Sequence, residues 1–235
     1  MPPATTRLSV PPPFELWLVR LAQGGTEADV RLLDARERER AARFHFERDR
    51  HRYVDAHVAL RHALAARTGR PAGALGFESG AFGKPRLAGE PRCAFSLSHS
   101  DELALIALAD AGDIGVDLER VRALPDLDAL AQQCLTAGER QELGALPLAD
   151  RERAFLQLWT RKEACLKAIG TGLSVEPAAF AVGWQANETP VRIATASGPR
   201  DVLVQSVTLA DDWVAALARV AIRPLGGISL VTGTL

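Results

Sequence analysis

Two stretches of the chain read alike: FSLSHSDELALIALA at 95–109 and LVQSVTLADDWVAALARV at 203–220. Each reads as a strand, a short polar turn and a second strand. One long helical pattern precedes each. The first runs from about Asp49 to Thr68, with Val54, Val58, Arg61, Leu64 and Ala65 on one side at three-to-four spacing, and Gly69 and Pro71 stop it. The second covers 150–169 and ends at Gly170 and Gly172. Strands, then, recur with one long helix in each half, which predicts two related α+β lobes, 1–112 and 113–235, joined near residue 112.

Further elements follow from local patterns. FELWLVRL at 14–21 reads as a strand broken by Gly24-Gly25, and 27–46 as a strongly charged helix. Gly83-Lys84-Pro85 is a turn between short strands, and DIGVDLE at 113–119 is a third strand after the first hairpin. Pro125 opens a helical stretch with a break near 134–137. FAVGW at 180–184, VRIA at 191–194, DVLVQSV at 201–207 and WVAALARVAI at 213–222 read as strands, and the Gly-rich tail from Pro224 as a mobile end.

Composition narrows the function classes. The 235 residues are 47% hydrophobic and 24% charged, which suits a globular chain with a real core. No stretch approaches the ~20 apolar residues of a membrane-spanning helix. MPPATTRLSVPPPF shows neither a basic leader nor an apolar signal segment, so the expected location is the cytoplasm. A net charge of -1 gives no global attraction to nucleic acid or anionic membranes. Cys93, Cys134 and Cys165 are too scattered for CxxC zinc spacing or a disulfide framework. Of the 28 basic residues only Lys84, Lys162 and Lys167 are lysine. In so arginine-rich a chain, these three mark places where a compact point charge serves better than a guanidinium fork.

Four constellations carry chemistry. In GVDLE at 115–119, strand alternation puts Asp117 and Glu119 on one face with Val116 and Leu118 on the other. Two like charges so placed are either solvated or held by a cation. In WTRKEACLKAIGTGL at 159–173, Trp159, Glu163 and Lys167 form one helical stripe, and Lys162 lies about 100° round from Glu163. This is either a surface pair with a core tryptophan or a source of a third carboxylate, completing an oxygen site suited to magnesium. In FSLSHS, Ser98 and His99 point to opposite strand faces, so a nucleophile–base pair is disfavoured, and phosphate contact and simple turn capping stay open. The segment 31–52 places Arg36, Arg40 and Arg43 on one helical face, with Glu37–Arg40 and Glu39–Arg43 as spaced pairs.

In order, RFHFERDRHRY near 43–53, GKPRL at 83–87, FSLSHS, GVDLE and WTRKEACLKAIGTGL resemble the motifs of the Sfp-type 4′-phosphopantetheinyl transferases. The resemblance implies an α+β fold of two similar lobes related by a pseudo-twofold, each a small, mostly antiparallel sheet packed on a long helix. It also implies a monomer. The implied reaction moves the 4′-phosphopantetheine arm of coenzyme A to a serine of an acyl- or peptidyl-carrier protein and releases adenosine 3′,5′-bisphosphate. By motif, Asp117, Glu119 and Glu163 would hold Mg2+, and Glu163 would take the serine proton. Lys167 would neutralise pyrophosphate charge, and Lys162, in the same motif, would also be a cofactor-binding residue. Lys84 and Pro85 would line the nucleotide pocket of the N-terminal lobe, and Ser98, His99 and Arg40 would meet phosphate. This chain departs from the pattern at Ser96, where asparagine is usual, at Glu37, where some members carry a second cation, and at Ser79, where some carry a basic residue; Arg43 and Arg52 are nearby cations. Two rivals remain at this stage: an inactive coenzyme A or carrier-protein binding module of the same fold, and a nucleic-acid binder using the 31–52 arginines.

Overall fold

A computed structural model describes residues 4–10, 14–21, 27–80, 82–110, 112–184 and 187–221. Ten strands and six α-helices are described: β1 (Ala4–Leu8), β2 (Phe14–Arg20), α1 (Glu27–Leu32), α2 (Ala35–Ala42), α3 (Glu47–Thr68), β3 (Phe77–Ser79), β4 (Pro85–Leu87), β5 (Ala94–Ser100), β6 (Leu103–Ala109), β7 (Ile114–Arg120), α4 (Leu127–Cys134), α5 (Ala137–Ala145), α6 (Leu148–Ile169), β8 (Thr189–Ile193), β9 (Arg200–Val207) and β10 (Trp213–Val220). They form two four-stranded sheets, β1-β2-β6-β5 and β7-β10-β9-β8, and the small ribbon β3-β4. Every pairing is antiparallel. The expected α+β architecture of two similar lobes is what the chain adopts.

Strand alternation builds the layers. In β6, Ala104, Ile106 and Leu108 face α3 with Ala56, Ala59, Leu60 and Leu64. The intervening Leu103, Leu105, Ala107 and Ala109 face the other sheet, where they meet Ile114, Val116 and Leu118 of β7 and Trp213, Ala215 and Leu217 of β10. The opposite face of β10, Val214, Ala216 and Ala218, packs with Ala164, Cys165 and Ala168 of α6. Helix, sheet, sheet and helix thus share three apolar layers, each giving roughly 25 cal/mol per Å² of apolar surface removed from water.

The two lobes repeat one order of elements: strand, two short helices, a 22-residue helix ending at a left-handed glycine, then strands. Gly69 and Gly170 are those caps, both at φ 71. In each lobe a capping-box glutamate from the preceding short helix reaches a buried cation of the long helix. Glu37, boxed with Asp34, takes Arg61 at 2.6 Å, and Glu139, boxed with Thr136, takes Lys162 at 2.9 Å. Arg61 also donates to the carbonyls of Ala72 and Leu75, around the 3₁₀ turn Ala72–Ala74 after α3, and Lys162 to those of Pro177 and Phe180, around Pro177–Ala179, the second 3₁₀ turn after α6.

Several expectations are corrected. The single helix over 27–46 is two, because Asp34 caps a new start with its side chain accepting from the Glu37 N–H. FAVGW forms no strand: the Phe180 and Val182 carbonyls accept from Lys162 and Arg161, and the Val182 N–H donates to Glu139, so side chains occupy the ladder groups. The edge strand β1 was not anticipated; its residues are largely exposed and carry no apolar alternation. Gly24-Gly25, Ile222 and the tail from Pro224 lie outside the described residues.

Candidate active site

The edge of one sheet lies against the edge of the other, and serine hydroxyls stitch them. Ser96 Oγ accepts from the Val116 N–H at 3.0 Å, and Ser100 Oγ accepts from the Arg120 N–H at 3.2 Å. Between them Ser98 Oγ donates to Asp117 Oδ1 at 2.7 Å. The alternate β5 side chains, Phe95, Leu97 and His99, face away from this seam into a cavity of about 490 Å³. His57 and Leu60 of α3, Phe77, Glu78 and Ser79 of β3, and Phe82 to Pro85 also line it. Glu163, Leu166 and Lys167 of α6 close the opposite side. A mostly apolar cleft between lobes with a few charges at one wall is the usual form of a small-molecule site.

Gly115 explains why those charges converge. A Cβ there would stand 2.1 Å from the Ala164 carbonyl oxygen and 2.5 Å from the Ala168 nitrogen. Only glycine lets β7 lie this close to α6. Asp117, two residues on, shares the face of Gly115 and meets Lys167 Nζ at 2.7 Å; that ammonium also donates to Ser98 Oγ at 3.0 Å. Glu119 accepts from Ser100 at 3.0 Å and from Arg122 at 2.8 Å. The Glu163 carboxylate takes no hydrogen bond among the described residues. Burial pushes the Glu163 carboxyl above its ordinary range, and the Asp117 and Glu119 charges add to the rise against Lys167. Burial likewise raises Asp117, opposed by Lys167 and Ser98.

Asp117 Oδ2 is buried with no hydrogen-bond partner. Two under-compensated carboxylates with a third nearby offer hard oxygen donors, which fits a hard divalent cation such as magnesium. As the side chains stand, no three His, Cys, Asp or Glu among the described residues form a ready-made ion site. The positive partner that the acid pair requires is supplied instead by Lys167 and Arg122.

The remaining expected residues divide. Pro85 and His99 line the cavity. Burial, with the Lys167 and Arg52 charges adding, holds His99 below the usual imidazole range. Lys84 also lines the cavity, but its ammonium is engaged by Asp113 at 3.3 Å and by the carbonyls of Ile114 at 3.1 Å and Ala168 at 2.9 Å, tying the β3-β4 ribbon to β7 and the end of α6. Ser98 is buried in the seam. Lys162 does not face the cleft: its side chain is 0% exposed and bound to Glu139. One residue before Glu163, it leaves the helix on the opposite-leaning side, as the 100° step requires. Arg40 is exposed with its guanidinium 6.0 Å from the Phe44 ring, and Arg36 is the α2 arginine that lines the cavity. Arg52 pairs with Asp101 at 3.2 Å, and Arg43 with Glu39 on the surface. Glu37 pairs with Arg61 rather than Arg40.

Sequence reasoning missed His57, the Arg61–Glu37 pair and the roles of Gly115, Ser96 and Ser100. The Asp34-x-x-Glu37 spacing of a capping box and the every-second-residue serines of FSLSHS were the available signals. His57 stacks on Tyr53 at 3.9 Å, and its Nδ1 lies 2.9 Å from the Tyr53 carbonyl, which fixes the proton on that nitrogen because a carbonyl only accepts. Burial brings its pKa down to about 4.

Comparison with known proteins places this geometry in a family. Residues 113–218 match the model of the 4′-phosphopantetheinyl transferase superfamily, and residues 23–110 match that of the 4′-phosphopantetheinyl transferase N-terminal region. The 4′-phosphopantetheinyl transferase HetI of Nostoc sp. is 35% identical over 178 residues, 74% of this chain and 74% of the relative. A putative 4′-phosphopantetheinyl transferase of Synechocystis sp. is 35% identical over 165 residues, 69% of this chain and 67% of the relative. The 4′-phosphopantetheinyl transferase Sfp of Bacillus subtilis is 27% identical over 162 residues, 69% of this chain and 71% of the relative. The chain belongs to the 4′-phosphopantetheinyl transferase superfamily. Its enzyme class is accordingly that of a 4′-phosphopantetheinyl transferase.

Proposed function

We propose that the protein transfers the 4′-phosphopantetheine arm of coenzyme A to a serine of an acyl- or peptidyl-carrier protein, with Mg2+ required and adenosine 3′,5′-bisphosphate released. The observation that carries this reading is the pair Glu163 and Lys167 at the charged wall of the inter-lobe cavity, with Lys167 bound to the buried Asp117 at 2.7 Å. In this reading the adenosine end and the pyrophosphate lie in the cavity lined by Arg36, Pro85, His99 and the stem of Lys84. Asp117, Glu119 and Glu163 would hold the ion, which when bound supplies charge neutralisation at the pyrophosphate. Lys167, at the same wall, meets a pyrophosphate oxygen as a point charge. Glu163, short of hydrogen-bond donors and raised above its ordinary range, is suited to accept the serine proton. The serine Oγ–P bond then forms at the phosphorus bearing pantetheine, and the bridging P–O bond breaks toward the adenosine side. Ser98 holds Asp117 in place. Such phosphoryl chemistry rests on positioning and charge stabilisation more than on covalent assistance.

No helix among the described residues is long and apolar enough to cross a membrane. A cytoplasmic monomer acting on a folded carrier domain, with no nucleic-acid or membrane partner, completes the proposal, together with lobe limits of 1–112 and 113–235. The test is an incubation of the protein with coenzyme A, Mg2+ and an apo carrier domain, followed by intact-mass analysis. Addition of one phosphopantetheine that stops with chelator is expected. An unmodified carrier, or modification indifferent to chelator, contradicts the reading.

A further inference from the structure

Lys167 already holds Oδ1 of Asp117, one of the two oxygens of the carboxylate that a divalent ion would bind. Its ammonium is held at two points, 2.7 Å from Asp117 Oδ1 and 3.0 Å from Ser98 Oγ. The two partners differ in freedom: the Asp117 side chain is 8% exposed and fixed from behind by Ser98, whereas the Lys167 side chain is 32% exposed on a flexible stem. A divalent ion on Asp117 and an ammonium on the same carboxylate repel each other strongly at contact distance in a partly buried site. One must leave, and only the lysine has somewhere to go, because its side chain also lines the cavity.

We propose that Lys167 is the resident cation of the Asp117 carboxylate and competes with the divalent ion, so that the free protein binds metal weakly and coenzyme A, by drawing the ammonium to its pyrophosphate, tightens metal binding. This rests on the metal reading given above. It adds an order to events: the anionic substrate unlocks the ion site, and by linkage the ion strengthens substrate binding by the same factor. It also gives Asp117 a compensating charge without metal, so that it is never left as a bare buried carboxylate.

The test is titration of the full-length protein with Mn2+, read by the electron paramagnetic resonance signal of the free ion and by calorimetry, with the Mn2+–coenzyme A interaction measured separately and subtracted. Without coenzyme A, Lys167→Gln is expected to bind Mn2+ about tenfold more tightly than wild type, a typical coupling size. Lys167→Arg, which keeps the positive charge, is expected to stay near wild type. Coenzyme A is expected to tighten Mn2+ binding to wild type by a similar factor and to do so much less for Lys167→Gln. Lys167→Met carries the same expectation if the glutamine variant does not fold. Equal or weaker Mn2+ binding by the neutral variants overturns the competition. Asp117→Asn separates the two layers: it should abolish the Mn2+ binding, and binding unchanged in that variant overturns the metal reading itself, and the competition with it.

Discussion

The two long helices α3 and α6 perform the same structural task with different cations. Counted from its first residue, each helix carries a buried cation at its fifteenth position, Arg61 or Lys162, paired with a capping-box glutamate and with carbonyls of a 3₁₀ turn further along its lobe. An aromatic ring sits against each, Phe77 at 4.9 Å and Phe180 at 4.8 Å. One residue further the lobes part. At the sixteenth and twentieth positions α3 has His62 and Ala66, while α6 has Glu163 and Lys167. Where Val19 of β2 and Leu21 just after it pack with α3, β7 turns Gly115, Asp117 and Glu119 toward α6. The shared positions hold the fold, and in the proposed function the divergent ones carry the chemistry, so one lysine of the motif is structural while its neighbour five residues on faces the cleft.

The largest expected effect breaks that symmetry directly. Glu163→Ala should lower kcat/KM for carrier modification by about 10³-fold or more, whereas His62→Ala, the exposed residue at the matching position of α3, should change it less than about twofold. Comparable losses in both variants would erase the functional distinction between the lobes.

Stability should show the reverse pattern, with the lobes behaving alike. Glu139→Ala leaves the buried Lys162 without its carboxylate and should cost about 3–5 kcal/mol in urea unfolding, and Glu37→Ala should cost about 2–4 kcal/mol because Arg61 keeps Asp34 at 3.4 Å. A loss below about 1 kcal/mol in one of them would show that only one lobe relies on its lock. Gly115→Ala should cost about 1–3 kcal/mol or more by driving β7 from α6. Gly138→Ala, in α5 with nothing within 4 Å of the added methyl, should instead stabilise by up to about 1 kcal/mol.

A smaller effect concerns pH. His57 titrates near 4 in the folded chain and at 6.5 when unfolded. The unfolded chain therefore binds the proton first as pH falls. The stabilisation is complete above pH 6.5 and is lost progressively down to about 4, amounting to roughly 2 kcal/mol for a partly shielded group. Unfolding free energies of wild type and His57→Gln between pH 7 and 4.5 should converge by this amount. A pH dependence identical in both would remove His57 from the account.

The repeated strand–turn–strand units and both long helices were legible because they rest on local pattern: short continuous apolar runs bounded by polar turns along β6 and β10, three-to-four spacing along α3 and α6. The convergence of Asp117, Glu163 and Lys167 was legible through motif resemblance rather than periodicity. What stayed hidden depends on contacts distant in the chain. Nothing local in FAVGW announces that Lys162, Arg161 and Glu139 take over its backbone groups. Motif membership alone points Lys162 at the cofactor because it does not state helical direction, whereas the 100° step separates Lys162 from Glu163. Arg36 lines the cavity and Arg40 does not, because motif position names a residue but does not say which of two arginines one helical turn apart reaches the cleft.

The most direct measurement is the anomalous signal of Mn2+ in a crystal grown with coenzyme A. The ion is expected among the carboxylates of Asp117, Glu119 and Glu163, with the Lys167 ammonium moved from Asp117 to the pyrophosphate. Coenzyme A seated in the cavity with the ion elsewhere, and Lys167 still on Asp117, would contradict the account.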